Sequence, residues 1–315
     1  LILEFPENTE SLRLDHFICR ALPSETRSAI KRLIESGNVL VNDKQVRSSL
    51  KLRCGDLISI DIPEPIAATP LPEPIPLDVL FEDADVVVVN KPAGMVAHPG
   101  AGNSSGTLVN ALLSHCTDLS GVGGELRPGI VHRLDKGTSG VMVAAKNDRA
   151  HRDLSAQFGA HTIKRIYNAL VYGSPKSDSG RVEGTIGRHP TERMRFSGKA
   201  SCGKRAITRW RVLRRFTRIS LLELRLETGR THQVRVHMTE AGFPLLGDPL
   251  YPDGGRINNI SDGKLRKLIG ELERQALHAR ILGFVHPVTR NYLEFTSELP
   301  ADIANLLEYL ERSAE

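Results

Sequence analysis

RPGIVHRLDKGTSG, running from Arg127 to Gly140, is the stretch on which the reading of this chain turns. Val131 to Leu134 and the apolar run Val141 to Ala145 read as strands, and between them lies a polar loop, Asp135, Lys136, Gly137, Thr138 and Ser139. A carboxylate is thus carried out of a strand into a loop bordered by glycines and hydroxyls. Arg133, two positions earlier, can stabilise that carboxylate's charge or reach a phosphate on a bound molecule. The same residues also fit an Asx-turn in which Asp135 only caps the loop.

Outward from this loop the pattern is mixed. Val86 to Asn90 is a continuous β-branched run closed by Lys91-Pro92, as expected of a strand buried on both faces and stopped by proline. Thr107 to His115 and Ala150 to Phe158 read as helices, and Ile166 to Val171 returns to strand. Thr208 to Phe216 and Ile219 to Glu227 are further strands; in the second, Leu222, Leu224 and Leu226 share one face, and Glu223, Arg225 and Glu227 the other. The expected class is α+β, with a mixed but mainly antiparallel sheet. No solenoid-type repeat is present.

Pro63, Pro65, Pro70, Pro72, Pro74 and Pro76 crowd into one short stretch, where fixed φ and missing donors favour an extended linker. The chain therefore divides into residues 1–62, a linker at 63–77 and a larger domain at 78–315. Upstream of the linker, Leu12, Leu14, Phe17 and Ile18 predict one amphipathic helix. Ile30, Leu33 and Ile34 predict a second, capped by Ser24 and closed by Gly37. Strands follow at Val39 to Val41, after a turn at Asn42-Asp43 in Gln45-Val46, and at Leu57 to Ile62. Nine Lys or Arg stand against four Asp or Glu between Arg13 and Arg53. Arg27, Lys31 and Arg32 could lie along phosphates, or simply form a solvated helix face.

Residues 11–46, SLRLDHFICRALPSETRSAIKRLIESGNVLVNDKQV, resemble the S4-like RNA-binding domain, which implies that the small unit grips structured RNA. HRLDKGTSG, residues 132–140, closely resembles the HRLD-x-x-TSG signature of the RluA/RluD-type family of pseudouridine synthases. Asn90-Lys91-Pro92-Ala93-Gly94 with His98-Pro99 is similar to the family's first motif. Lys164-Arg165-Ile166-Tyr167 is similar to the strand that carries its tyrosine. LETGRTHQVRVH, Leu226 to His237, followed by Gly247-Asp248-Pro249-Leu250-Tyr251, is similar to its strand-turn-helix element. The likeness spans roughly residues 78–298. It implies that Asp135 is the catalytic aspartate, that Tyr167 packs on a flipped uracil and that Arg230 pairs with the catalytic carboxylate. It also implies that Arg133 can fill the gap left by the extruded base. Such residue types suit work on a base that must leave its stack. Taken without the motifs, Tyr167 also fits an ordinary strand residue and Arg230 a partner for Glu227. Gly137 departs from the family pattern, in which many members carry aspartate, and puts the loop's rigidity in question.

Between Arg188 and Arg218 lie eleven Lys or Arg and one acidic residue, Glu192. Arg209 and Arg211 alternate with Trp210 and Val212, so a strand can present cations on one face, toward RNA or toward solvent at a protected edge. Across all 315 residues the formal charge is +5, with 40% hydrophobic and 25% charged residues, and the pI near 9.1 favours a polyanionic partner. His232 and His237 are five residues apart, a poor spacing for a shared helical face, and no HExxH or CxxC occurs; no catalytic metal is expected. Pro99 to Gly106 lacks the GK[ST] ending of a phosphate-binding loop, so no nucleotide cofactor is expected. Cys19, Cys54, Cys116 and Cys202 form no disulfide or zinc framework, and no stretch approaches a membrane span. The expected compartment is cytoplasmic, or an organelle matrix or stroma if a transit peptide once preceded Leu1. A monomer is expected.

The expected activity is isomerisation of uridine to pseudouridine without cofactor, on large-subunit rRNA or a pre-ribosome, since family members with an S4-like domain commonly act there. A synthase acting on tRNA and a non-catalytic ribosome-assembly factor are the competing readings. A metal-dependent hydrolase would need a ligand set that the sequence does not supply.

Overall fold

A computed structural model of the protein describes residues 1–6, 11–23, 27–61, 70–100, 102–116, 119–120, 128–200 and 202–313. The chain divides into two compact units, Leu1–Ala67 and Ala68–Glu315.

In the first unit, helices α1 (Leu14–Ala21) and α2 (Arg27–Glu35) accompany a four-stranded sheet formed by β1 (Ile2–Glu4), β2 (Val39–Val41), β3 (Lys44–Gln45) and β4 (Leu57–Ile60), in spatial order β1-β4-β2-β3. Leu14 and Ile18, and Ile30 and Ile34, lie four apart on their helices, so each pair turns toward Val39, Val41 and Ile58 in one core. Asn42 and Asp43 both have positive φ, the left-handed pair that a two-residue hairpin requires and that these side chains tolerate. Gly37, at φ +83, closes α2. Strand β1 escaped the sequence reading because three residues show too little alternation. The Ser24 cap, Pro63 and Pro65 lie outside the described residues.

The second unit is built on a ten-stranded sheet. Its strands are β5 (Val79–Glu82), β6 (Val86–Lys91), β7 (Ser139–Ala145), β8 (Lys164–Tyr172), β9 (Ser179–Arg188), β10 (Phe196–Ser197), β11 (Lys204–Arg215), β12 (Ile219–Leu226), β13 (Leu277–Val285) and β14 (Tyr292–Thr296). Their order is β10-β9-β11-β12-β8-β13-β7-β6-β5, with β14 also on β13. Among the described residues every ladder is antiparallel except that between β13 and β7. Helices α3 (Leu108–His115), α4 (Asp148–Gly159), α5 (Gln233–Glu240), α6 (Gly263–Gly270) and α7 (Ala301–Arg312) cover the sheet. Val87 and Val89 of β6 enter one core and Val86 and Val88 another, which accounts for the unbroken β-branched run.

Two expectations are corrected here. Val131 to Leu134 forms no strand; only Ile130 makes an isolated bridge, to Ala144. The His132 ring nitrogen Nε2 accepts the Val143 N–H at 3.2 Å, so a side chain occupies a donor on the adjoining strand. The proline stretch is not a free linker along its whole length. Leu71 accepts a hydrogen bond from the Asn110 side chain, the Glu73 N–H donates to the Asn110 carbonyl, and the Glu73 carboxylate accepts from Gly106 N–H. From Pro70 onward this extended segment is thus fastened to the second unit around α3.

At the parallel seam, His278 faces Ser139 and Ala279 faces Gly140. Gly140 has φ +121, and a Cβ there would lie 2.2 Å from the Ala279 carbonyl oxygen, so only glycine lets β7 and β13 approach. The buried His278 ring bridges the seam, with Nδ1 3.0 Å from Ser139 Oγ and Nε2 3.0 Å from Ser297 Oγ.

Candidate active site

Asp135 lies between two clefts. The smaller, about 390 Å³, includes Phe158, Arg165, Tyr167, Arg230, Val234 and Leu277 in its wall. The larger, about 1110 Å³, includes Lys136, Arg188, Arg193, Met194 and Phe196. Arg133, Asp135, His232 and Arg235 line both.

The loop that presents Asp135 is held residue by residue. Thr138 N–H donates to the Asp135 carbonyl at 2.9 Å and closes a turn. Gly94 N–H donates to the Lys136 carbonyl, Arg274 Nη1 to the Gly137 carbonyl, and Gln275 Nε2 to Thr138 Oγ1. A Cβ on Gly137 would meet Gln275 Oε1 at 2.7 Å, so the glycine here is matched to a glutamine packed over it. The rigidity that Gly137 put in question is supplied by its neighbours.

Arg235, near the start of α5, is the cation beside the Asp135 carboxylate. Its Nε and Nη2 donate to the two oxygens of Asp248 at 2.8 and 2.7 Å, leaving Nη1 3.5 Å from Asp135 Oδ2. Asp248 in turn accepts the N–H groups of Leu250 and Tyr251. Burial works against charge on Arg235, but the Asp248 carboxylate outweighs it and leaves the guanidinium pKa raised. A fixed positive charge therefore stands beside Asp135 without clamping it, since 3.5 Å is too long for a strong hydrogen bond. His232, at φ +56, caps α5 and sits 3.9 Å from Asp135 through Nε2, while its Nδ1 lies 3.0 Å from the Tyr251 hydroxyl. Burial lowers the His232 pKa, against the opposing pull of Asp135.

Lys91 is almost wholly buried, and its Nζ donates to the carbonyls of Pro92 and Met95 at 2.7 and 2.9 Å and points toward that of Lys136 at 3.5 Å. Desolvation pushes its pKa down to about 7, and Asp135 opposes the fall. Lys91→Met is expected to cost on the order of 2 kcal/mol by leaving carbonyl oxygens without donors, offset in part by the lost cost of burying an ammonium. Chemical denaturation measures this. An unchanged midpoint would mean that the two effects cancel.

In the smaller cleft Tyr167, on β8, is buried, and desolvation raises its hydroxyl to about 12, so it stays neutral. His132 stacks on Phe158 at 4.5 Å, and burial, with Arg165 nearby, holds its pKa down to about 3. The buried Arg165 donates to the Glu227 carbonyl and lies over the Phe158 ring at 5.8 Å. These groups make a wall that is apolar and aromatic in part, with cations at its rim.

The structure thus brings Asp135, Arg133, Tyr167 and Arg230 to one cleft, but it corrects the expected partner of the carboxylate. Arg230 Nε donates to the Arg205 carbonyl at 3.1 Å, and the carboxylate's guanidinium is Arg235. A residue clue existed: an arginine on the buried face of α5 needs an acid, and Asp248 stands in the otherwise apolar run Pro244 to Leu250. Arg133 is exposed and has no ion pair among the described residues. Arg209 pairs with Glu227 and Arg211 with Glu223. Lys31 is exposed, 3.4 Å from Glu35, whereas the side chains of Arg27 and Arg32 lie outside the described residues. His237 is buried against Thr208 Oγ1 at 2.9 Å. Two clusters with metal-ligand chemistry among the described residues, Glu82 with His115 and Cys116, and Asp83 with Asp85 and His286, include no residue of either cleft. No helix among the described residues is long and apolar enough to cross a membrane.

A loop-borne aspartate between two cation-rimmed clefts, joined in one chain to a helix-and-strand unit of the S4 type, defines an RNA-modifying enzyme. Residues 85–240 match the family described as RNA pseudouridylate synthase, and residues 12–58 match the S4 domain. The uncharacterized RNA pseudouridine synthase YlyB of Bacillus subtilis is 45% identical over 307 residues, covering 98% of this chain and 97% of its own. Ribosomal large subunit pseudouridine synthase D of Zymomonas mobilis is 46% identical over 306 residues, covering 95% and 93%. Among solved structures, human RNA pseudouridylate synthase domain containing 4 is similar, with a TM-score of 0.57 and 26% identity over 74% of this chain and 92% of that one. The chain belongs to the RNA pseudouridine synthase family and carries an S4 domain; it is an isomerase that acts on RNA.

Proposed function

We propose that the protein converts specific uridines of large-subunit ribosomal RNA to pseudouridine, with Asp135 acting directly on a nucleoside drawn out of its stack. The reaction breaks the N1–C1′ bond, turns the uracil and joins C5 to C1′, C5 losing its proton and N1 gaining one, with no net redox change. The observation that carries the reading is the position of Asp135 at the junction of the two clefts, beside a guanidinium held by a second carboxylate. The smaller cleft takes the extruded base against Tyr167, and the larger takes the RNA around it. Arg133, exposed at the boundary, fills the place the base has left. Arg230 serves the substrate at the cleft mouth, and Arg235 takes the charge-pairing role at Asp135. Arg27, Lys31 and Arg32 of the S4 unit hold the RNA by its phosphates. Ribosomal RNA is favoured because relatives matched over 93% and 79% of their own length are named for the ribosomal large subunit.

The test is to incubate unmodified large-subunit rRNA and a tRNA pool separately with the protein, in buffer without added metal, and to map pseudouridine by chemical adduct and primer-extension stops. Stops confined to rRNA support the proposal. Stops confined to tRNA would move the substrate, and binding without stops on either RNA would favour a role in ribosome assembly.

A further inference from the structure

The active cleft continues past Arg230. Arg230 and His161 line both the smaller cleft and an adjoining groove of about 800 Å³ on the outward face of β9, β11 and β12, where Arg181, Arg205, Arg209 and Arg225 also stand. Strand register sets Arg209 directly opposite Arg181 on one side and Arg225 on the other. Three guanidiniums therefore form a row across three neighbouring strands, which are spaced about 5 Å apart.

Such a row is a cost to the fold, because like charges directly opposite destabilise a sheet. Nearby acids relieve it only in part. Glu183 takes Arg181 at 2.5 Å and Arg205 at 2.6 Å, and Glu227 takes Arg209. Arg225 is exposed and has no ion pair among the described residues. The next row shows how the same strands look when balanced: Arg211 stands opposite Glu223 and pairs with it at 3.1 Å. The reverse face of this sheet is core, with Ala206, Thr208 and Leu224 buried, so the arginines project from a rigid platform.

We propose that the row Arg181, Arg209, Arg225 carries the sugar-phosphate backbone of the substrate RNA beyond the nucleotide held at Asp135, Arg230 marking the passage between the two. This rests on the proposed action on RNA and extends it to a second contact track. RNA is favoured over an acidic protein because the groove opens from the active cleft through shared residues. The geometry also separates Arg209 from Arg211, which the sequence pattern grouped: the first faces two more cations, the second a carboxylate.

The test uses the full chain with Arg181→Gln, Arg209→Gln and Arg225→Gln combined, and unmodified large-subunit rRNA as the probe. Three lost phosphate contacts should flatten the plot of log affinity against log salt by about 2, the single-strand slope being about 0.7 per contact. Affinity near physiological salt should fall about tenfold or more, with kcat at saturating RNA within about twofold of wild type. Thermal unfolding should be unchanged or shifted upward, an outcome that a merely structural role for the arginines would reverse. Lys267→Gln, at an exposed position of α6 outside the groove, controls for loss of a surface charge and should leave the slope alone. If the triple variant unfolds, Arg225→Gln alone breaks no described ion pair and should still reduce the slope by about 0.7. A slope and affinity equal to wild type would overturn the proposal and leave the row to an acidic protein. Because the slope is read from binding, absence of pseudouridine with wild type would count against the proposed activity on that RNA and not against the track.

Discussion

Replacing Asp135 by asparagine is expected to lower pseudouridine formation by at least about 10³-fold while leaving RNA affinity and thermal stability close to wild type. Asparagine keeps the shape and removes the charge. The turn that presents residue 135 depends on its backbone carbonyl, which accepts from Thr138 N–H and is untouched by the change. Nor does the side chain carry much structural burden, since its ion contact with Arg235 is 3.5 Å long and Arg235 is held independently by Asp248. Single-turnover assays on the RNA modified by wild type, with filter binding and a thermal melt beside them, separate the three quantities. Turnover within about tenfold of wild type would remove Asp135 from the chemistry. A collapse in stability would instead assign it a structural role.

Arg235→Met should damage both fold and activity. The Asp248 side chain is only 1% exposed, and removing its guanidinium leaves it with two backbone N–H donors and no countercharge. Breaking a buried pair in this way costs about 3–5 kcal/mol. Asp135 simultaneously loses the fixed charge beside it, so turnover falls even where the protein remains folded. Adding Asp248→Asn should restore part of the stability, because the unpaired buried charge disappears, but none of the turnover. Arg235→Lys should fall between, as an ammonium cannot present a fork to one carboxylate and a third donor to another. Denaturation midpoints and single-turnover rates for the four proteins form the measurement. Recovery of turnover in the double variant would show that Arg235 matters only through Asp248.

The loop around Asp135 and most of the strands were legible in the chain because their determinants are local: β-branched runs, alternation along β12, and prolines and glycines as stops. Features set by distant partners were not. Val131 to Leu134 has the apolar content of a strand, yet a histidine side chain takes the neighbouring backbone donor, and no periodicity encodes that substitution. Arg230 and Arg235 sit five residues apart in one motif, and only the turn into α5 decides that the second faces Asp135. Strands β9, β13 and β14 and helices α6 and α7 went unread as elements, although the family likeness extended over most of them. In β9, burial falls mainly at the end that reaches Ile186 and Gly187, so its sequence carries little alternation to read.

The parallel seam gives the enzyme a constraint in time. β13 lies between β7 and β8, so the loop bearing Asp135 and the strand bearing Tyr167 become neighbours only when β13 is inserted. The hairpin pair β5, β6 and the loop between β11 and β12 can close early, over short lengths of chain. Pairing residue 139 with residue 278 must wait for a loop of more than a hundred residues, and its entropy is repaid late. On a ribosome that releases the amino-terminal portion first, the RNA-gripping unit at residues 12–58 is complete long before β13 emerges. A nascent chain can therefore hold RNA for much of its synthesis without yet possessing a centre able to alter it.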